Sequence, residues 1–242
     1  MPDELAARLA AVREQIGAAA RRAGRDAATV GIVAVTKTLP PAAVHAALAA
    51  GLSDIGENYV QEARAKRDAV GRGGSWHLIG GLQRNKVRAA VSTFDQLDTV
   101  DSAPVARALA EEAVLAGRRL PVSIQVNVTA DPRKRGLPPE KTAALAETIL
   151  GLGALDLRGL MTIGPLGPPE DSRPCFRRLR ALRDDVERRL GVELPHLCMG
   201  MSDDFPVAVE EGATLLRLGR ALFGDRSPGS WRPGPSAGGE GS

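Results

Sequence analysis

Residues able to do chemistry stand at the ends of apolar runs. Gly31-Ile-Val-Ala-Val-Thr-Lys37 is a largely β-branched run that ends in a lysine, with Thr38-Leu-Pro-Pro41 behind it. A lysine placed there can offer a nucleophilic amine to a carbonyl compound. Its plainer reading is a solvated strand cap, since lysine is seldom buried. Near the other end of the chain, Met199-Gly-Met-Ser-Asp-Asp204 supplies a glycine, the Ser202 hydroxyl and the amino end of a helix. Arg217-Leu-Gly-Arg-Ala-Leu-Phe-Gly224 supplies Gly219 and the main-chain amides after it. Hydroxyls and backbone amides of this kind hold phosphate groups. Asn58, His77, Asn127 and Met161 are the other polar or polarisable residues found at, or just past, the end of an apolar run.

The elements between these residues must bring them together. Leu5, Leu9, Val12 and Ile16 recur at helical spacing and predict a first helix from an Asp3 cap to Gly24, ahead of any strand. Strands are then predicted near residues 31–37, 52–55, 75–79, 93–97, 122–128, 155–163, 194–198 and 213–218, each but the last followed by a helical pattern or a cap signal. Asn58 reads equally as an N-cap with Gln61 three residues on. The basic run Arg133-Lys-Arg-Gly136 could greet a phosphate, although such runs are more often solvated. Eight strands alternating with helices are the pattern of an α/β fold, a single-domain (β/α)8 TIM barrel with an extra N-terminal helix, expected over residues 1–225. A doubly wound open sheet is the competing architecture, but no GxGxxG dinucleotide turn is present. Residues 226–242 are rich in Gly, Pro and Ser and are expected to form a disordered tail. If the strands close, Lys37, Asn58, His77, Asn127, Met161, Ser202, Arg217 and Gly219 converge on one mouth, at the strand ends where barrels place their chemistry.

Composition narrows the functions. The 242 residues are 43% hydrophobic and 25% charged, and no apolar run approaches a membrane span. Thirty-two Lys+Arg face 29 Asp+Glu, for a net charge of +3, and only 3% of residues are aromatic. An interleaved surface without aromatic platforms disfavours nucleic acid as a partner. Two cysteines and three isolated histidines, His45, His77 and His196, offer neither a disulfide framework nor metal spacing. Asp3 and Glu4 precede an amphipathic pattern where a secretory signal would be basic and then apolar, so the cytoplasm is the expected location.

A lysine across a barrel mouth from a phosphate cradle suggests pyridoxal 5′-phosphate, which needs an amine for its aldehyde and a holder for its phosphate. Five motifs strengthen this: Thr36-Lys37, Gly56-Glu-Asn-Tyr-Val-Gln-Glu62, Leu82-Gln-Arg-Asn-Lys86, Gly200-Met-Ser-Asp-Asp204 and Arg217-Leu-Gly-Arg-Ala-Leu-Phe-Gly224. In this order they resemble the YggS/PROSC-type pyridoxal phosphate homeostasis proteins, over nearly the whole stretch from Val30 to Phe223. The resemblance implies a barrel like the N-terminal domain of alanine racemase. It implies Lys37 as the Schiff-base lysine, Ser202 and Gly219 at the phosphate, and Arg217 facing the pyridine nitrogen. Two departures stand out. Arg220 occupies a position where many relatives carry threonine, so a guanidinium or only a backbone N–H could meet the phosphate there, and the loop of residues 133–136 is more basic than the family's serine-containing version.

The same resemblance implies a carrier or buffer of the cofactor without efficient turnover. The protein is further expected to be a monomer or weak dimer and to hand its cofactor to pyridoxal phosphate-dependent apo-enzymes. Racemisation in the related fold uses two bases, one of them a tyrosine from a second domain of the partner subunit; this chain has one tyrosine, Tyr59. Two readings compete with the carrier: a single-domain enzyme such as an amino acid racemase, and a cofactor-free barrel for another phosphorylated metabolite.

Overall fold

The computed structural model describes residues 2–71, 73–129, 131–225 and 231. Within them, eight parallel strands close into a barrel in sequence order. They are β1 (Gly31–Val35), β2 (Asp54–Glu57), β3 (Ser75–Leu78), β4 (Gln96–Val100), β5 (Leu120–Gln125), β6 (Leu155–Met161), β7 (His196–Cys198) and β8 (Leu215–Leu218). The helices are α1 (Pro2–Arg22), α2 (Pro41–Ala49), α3 (Val60–Val70), α4 (Val87–Thr93), α5 (Ala103–Leu115), α6 (Thr142–Leu150), α7 (Arg173–Leu190), α8 (Phe205–Glu210) and α9 (Arg220–Phe223). Closure comes from β1 lying beside β8, with Gly31 opposite Leu215 and Ala34 opposite Leu218. This register brings the loop after β1 and the loop after β8 to the same stretch of rim.

Alternation along each strand sorts side chains between two environments. Trp76 and Leu78 of β3 belong to the large core shared with the helices. The inner face carries a separate small cluster of Val33, Met161, Cys198 and Leu215, one residue each from β1, β6, β7 and β8. Helix α1 buries Leu5, Leu9, Val12, Ile16 and Ala20 on one stripe and packs on α8 and α9, bracing the seam where the barrel closes. Burying each of its leucines stabilises the fold by about 1.5–3 kcal/mol. Arg25, just past α1, adds a bond to the Ala213 carbonyl at 2.9 Å.

Some boundaries differ from the sequence reading, and each difference has a local cause. Strand four lies at Gln96–Val100, three residues later than expected, because Thr93 still belongs to α4 and Phe94 is a buried core residue at its end. Its polar residues Gln96 and Asp98 face other polar groups inside the barrel, which hid the strand from an apolar count. The N-cap of α3 is Tyr59 and makes no side-chain cap bond, so the Asn58–Gln61 capping box does not form. The first helix takes Asp3 into its first turn instead of using it as the cap. Apart from Trp231, the expected tail of residues 226–242 lies outside the described residues. Among the described residues, no helix is long and apolar enough to cross a membrane.

Candidate functional site

Lys37 is half-buried, two residues past β1. The loop carrying it turns sharply: Leu39 N–H donates to the Thr36 carbonyl at 2.9 Å, and Thr38 sits at φ +63°, the one non-glycine residue with positive φ among those described. A β-branched residue is costly there, so its surroundings must hold it. Beneath the loop lies a buried cluster of Glu57, Glu62 and Lys66 that the sequence reading did not single out. Burial raises the Glu57 carboxyl to about 7 despite the ammonium of Lys66 beside it.

The loops after β7 and β8 form the facing part of the rim. Gly200 has φ +94°, and a Cβ there would lie 2.5 Å from the Ala208 Cβ, so no larger residue fits. Asp204 folds the loop back by accepting from Met201 N–H at 2.7 Å and from the Ser172 hydroxyl at 2.8 Å. Ser202 is thereby set against the first turn after β8, where its Oγ accepts from Ala221 N–H at 3.1 Å. Arg220 pairs with the exposed Asp203, so both flank Ser202. Arg217 is buried, and its guanidinium donates to the Cys198 carbonyl at 2.8 Å, the Cys198 Sγ at 3.0 Å and the Thr162 carbonyl at 2.7 Å. These bonds use three of the five guanidinium N–H groups. Burial pushes the Cys198 thiol up to about 11, so it accepts from Arg217 as a neutral group.

Met161, fully buried at the end of β6, floors the barrel beneath this rim. Asn58 and Asn127 line a cavity of about 250 Å³ together with Ile79, Gly80, Lys134 and Thr162. Asn127 spends its side chain on its own loop, donating to the Asp131 carbonyl at 2.8 Å and accepting from the Thr129 hydroxyl at 2.8 Å. Lys134 of the basic run donates to the Gly164 carbonyl at 2.8 Å, tying two rim loops together.

His77 does not stand at the mouth. It lies inside the barrel, 2% exposed, with Nδ1 2.9 Å from Asp98 and Nε2 3.1 Å from Asp54. Asp54 is the first residue of β2, and His77 and Asp98 are the third residues of β3 and β4. Both ring nitrogens of His77, one of the expected cofactor-binding residues, are engaged by these carboxylates. Burial alone would lower its pKa, but Asp98 and Asp54 together raise it to about 9. Asp98 is held below the ordinary carboxylate range, the attraction of His77 and bonds from Gln96 and Ser123 outweighing complete burial.

The donor set fits a phosphorylated aldehyde. An amine after β1, a hydroxyl after β7 and backbone amides after β8 lie on neighbouring strand ends, and a buried guanidinium lies between them. Among the described residues no group of three or more His, Cys, Asp or Glu could hold a metal ion.

Comparison with known proteins agrees with this geometry. Residues 7–227 match the family described as alanine racemase, N-terminal domain. The pyridoxal phosphate homeostasis protein of Pseudomonas aeruginosa is 44% identical over 228 residues, covering 93% of this chain and 97% of that protein. That of Aquifex aeolicus is 42% identical, covering 90% of this chain and 97% of its own length. The structure of PipY from Synechococcus elongatus PCC7942 with PLP bound superposes with a TM-score of 0.81 at 37% identity, over 91% of this chain and all of that one. The chain belongs to the pyridoxal phosphate homeostasis protein family, whose barrel is that of the alanine racemase N-terminal domain.

Proposed function

We propose that this protein binds pyridoxal 5′-phosphate covalently through Lys37 and carries or buffers it within the cell. The observation that supports the reading best is the placement of an amine and an anion cradle on the adjacent ends of β1 and β8, in a chain whose near relatives bear that name. The cofactor supplies an aldehyde, which condenses with a primary amine with loss of water. Lys37 is that amine. Ser202 and the N–H groups of Gly219 and Arg220 would hold the phosphate, and Met161 and Asn58 would border the ring. Arg217, fixed by Cys198 and Thr162, keeps two N–H groups that would donate to the pyridine nitrogen and leave it unprotonated. An unprotonated ring is a poor electron sink, and this favours storage over turnover. Tyr59, the only tyrosine of the sequence, is 60% exposed, and among the described residues no hydrogen bond to its hydroxyl is formed.

Purified protein mixed with the cofactor is expected to turn yellow, with absorbance near about 420 nm from the lysine adduct. Borohydride reduction and mass mapping are expected to place that adduct on Lys37, and Lys37→Ala to abolish it. A colourless wild type refutes the reading. Amino acid turnover at about 1–1000 per second would instead make the protein an enzyme.

A further inference from the structure

Lys66 is a second lysine beside the site, and its chemistry is spent differently. It is 0% exposed. Its ammonium has three N–H donors, and they reach the Thr36 carbonyl at 2.6 Å, Glu57 Oε1 at 2.7 Å and Glu62 Oε1 at 2.7 Å. The Thr36 hydroxyl also donates to Glu57, at 2.6 Å, and the Thr38 N–H donates to Glu62. The Thr36 carbonyl belongs to the peptide bond before Lys37, and the Thr38 N–H to the peptide bond after it. One ionic cluster therefore holds both peptide groups of the cofactor lysine. Trp231 completes it: its N–H donates to the Thr38 carbonyl at 3.0 Å, and its ring lies over the Lys66 ammonium at 5.3 Å, a cation–π contact.

Such a cluster is an inefficient way to stabilise a fold, because desolvating three charges offsets most of their attraction and apolar packing does as well. It does hold a backbone in a conformation that the chain would otherwise leave, and Thr38 at φ +63° is in one. We propose that Lys66, with Glu57 and Glu62, is a positioning clamp for Lys37, and that Trp231 seals it. The inference rests on Lys37 being the cofactor lysine. With the clamp intact, the Lys37 amine is presented at a fixed point on the rim. Without it, Thr38 relaxes to negative φ and swings the amine away.

The test compares wild type, Lys66→Met, Glu62→Ala and the double variant Lys66→Met/Thr38→Gly, each mixed with pyridoxal phosphate. The rate of growth of the absorbance near about 420 nm and the borohydride-trapped fraction on Lys37 are measured. Lys66→Met is expected to slow adduct formation roughly tenfold, the factor matching the left-handed cost the clamp offsets. Thr38→Gly is expected to restore most of that loss, because glycine adopts positive φ unaided. General destabilisation would show no such rescue. If Lys66→Met does not fold, Glu62→Ala, which keeps the Glu57–Lys66 pair, decides: slower adduct formation in a folded protein supports the clamp. A wild-type rate in either folded single variant, or a slow Lys66→Met that Thr38→Gly leaves unchanged, overturns it. A wild type that stays colourless overturns the cofactor reading itself, which separates the two failures.

Discussion

Inside the barrel Asp54, His77, Gln96, Asp98, Ser123 and His196 form one set on the strands; Lys37, Asn58, Ser202 and Gly219, in the loops past the strand ends, form another with Arg217 of β8. The two sets are bonded in different ways. In the first set the groups satisfy each other: Asp98 accepts from Gln96 at 2.6 Å, from Ser123 at 3.1 Å and from His77 at 2.9 Å, and the second nitrogen of His77 reaches Asp54. In the second set the anchors are main-chain groups: Arg217 donates to the Cys198 and Thr162 carbonyls, and Ser202 accepts from the Ala221 N–H. Polarity inside a barrel thus has two uses, and the way hydrogen bonds are distributed tells them apart. A network closed on itself is a plug, and one anchored by backbone is a site.

The largest expected effects break this contrast directly. His77→Leu leaves the Asp98 carboxylate buried without its counter-charge, and removing one partner of such a pair costs about 3–5 kcal/mol. Chemical denaturation is expected to show that loss, while the folded fraction still forms the Lys37 adduct. Lys37→Ala is expected to do the reverse: complete loss of adduct with a change in stability below about 1 kcal/mol, as at other sites outside the core. If His77→Leu abolished adduct formation in folded protein, the plug and the site would be one unit and the distinction would fail.

A smaller effect sharpens the comparison through pH. The His77 pKa is raised from its ordinary 6.5 to about 9 in the folded protein. Its charge therefore contributes fully below pH 6.5 and the contribution is lost as pH rises toward 9. Asp54 and Asp98 are shifted down, so their share is present above the ordinary carboxylate value and is lost only as pH falls well below it. The stability difference between wild type and His77→Leu is expected to be greatest near pH 6 and to shrink by at most about 3 kcal/mol by pH 9–10. Taking the difference removes Glu57, whose carboxyl is raised to about 7 and whose ionisation lowers stability as pH rises from 4.5 to 7. A difference that stays flat from pH 6 to 10 would mean that His77 is not charged in the plug.

Strand order, barrel closure and the rim positions of Lys37 and Ser202 were legible because they follow from local patterns: β-branched runs, helix periodicity and glycines at turns. The partners of His77 were not legible, because alternation puts a residue inside a barrel without saying which groups it meets, and Asp54 and Asp98 are distant in sequence. Strand four was shifted because its inward face is polar, so the apolar count fell on the end of α4 instead. Lys66 is hidden in the sequence for a similar reason. On sequence it is one basic residue in the mixed-charge helix Gln61-Glu-Ala-Arg-Ala-Lys-Arg67, and only the crossing of α3 behind the Lys37 loop shows that it is buried.

The smallest effect concerns Arg220. Its guanidinium is exposed and paired with Asp203, which is exposed as well, and such a surface pair contributes about 0–1 kcal/mol. Its charge is largely answered by a neighbouring carboxylate that would itself repel a phosphate, so the pair adds little field at Ser202. The phosphate would then be held by the Ser202 hydroxyl and by amides, which no side-chain change at Arg220 removes. Arg220→Thr is accordingly expected to alter cofactor affinity by less than about threefold, a difference under 1 kcal/mol, when the dissociation constant is measured by fluorescence titration. Asp203→Asn sharpens the point: freeing the guanidinium is expected to tighten binding, and to tighten it only while Arg220 is present. A loss of tenfold or more in Arg220→Thr alone would place the guanidinium on the phosphate and make this rim differ from one that binds through backbone and hydroxyl.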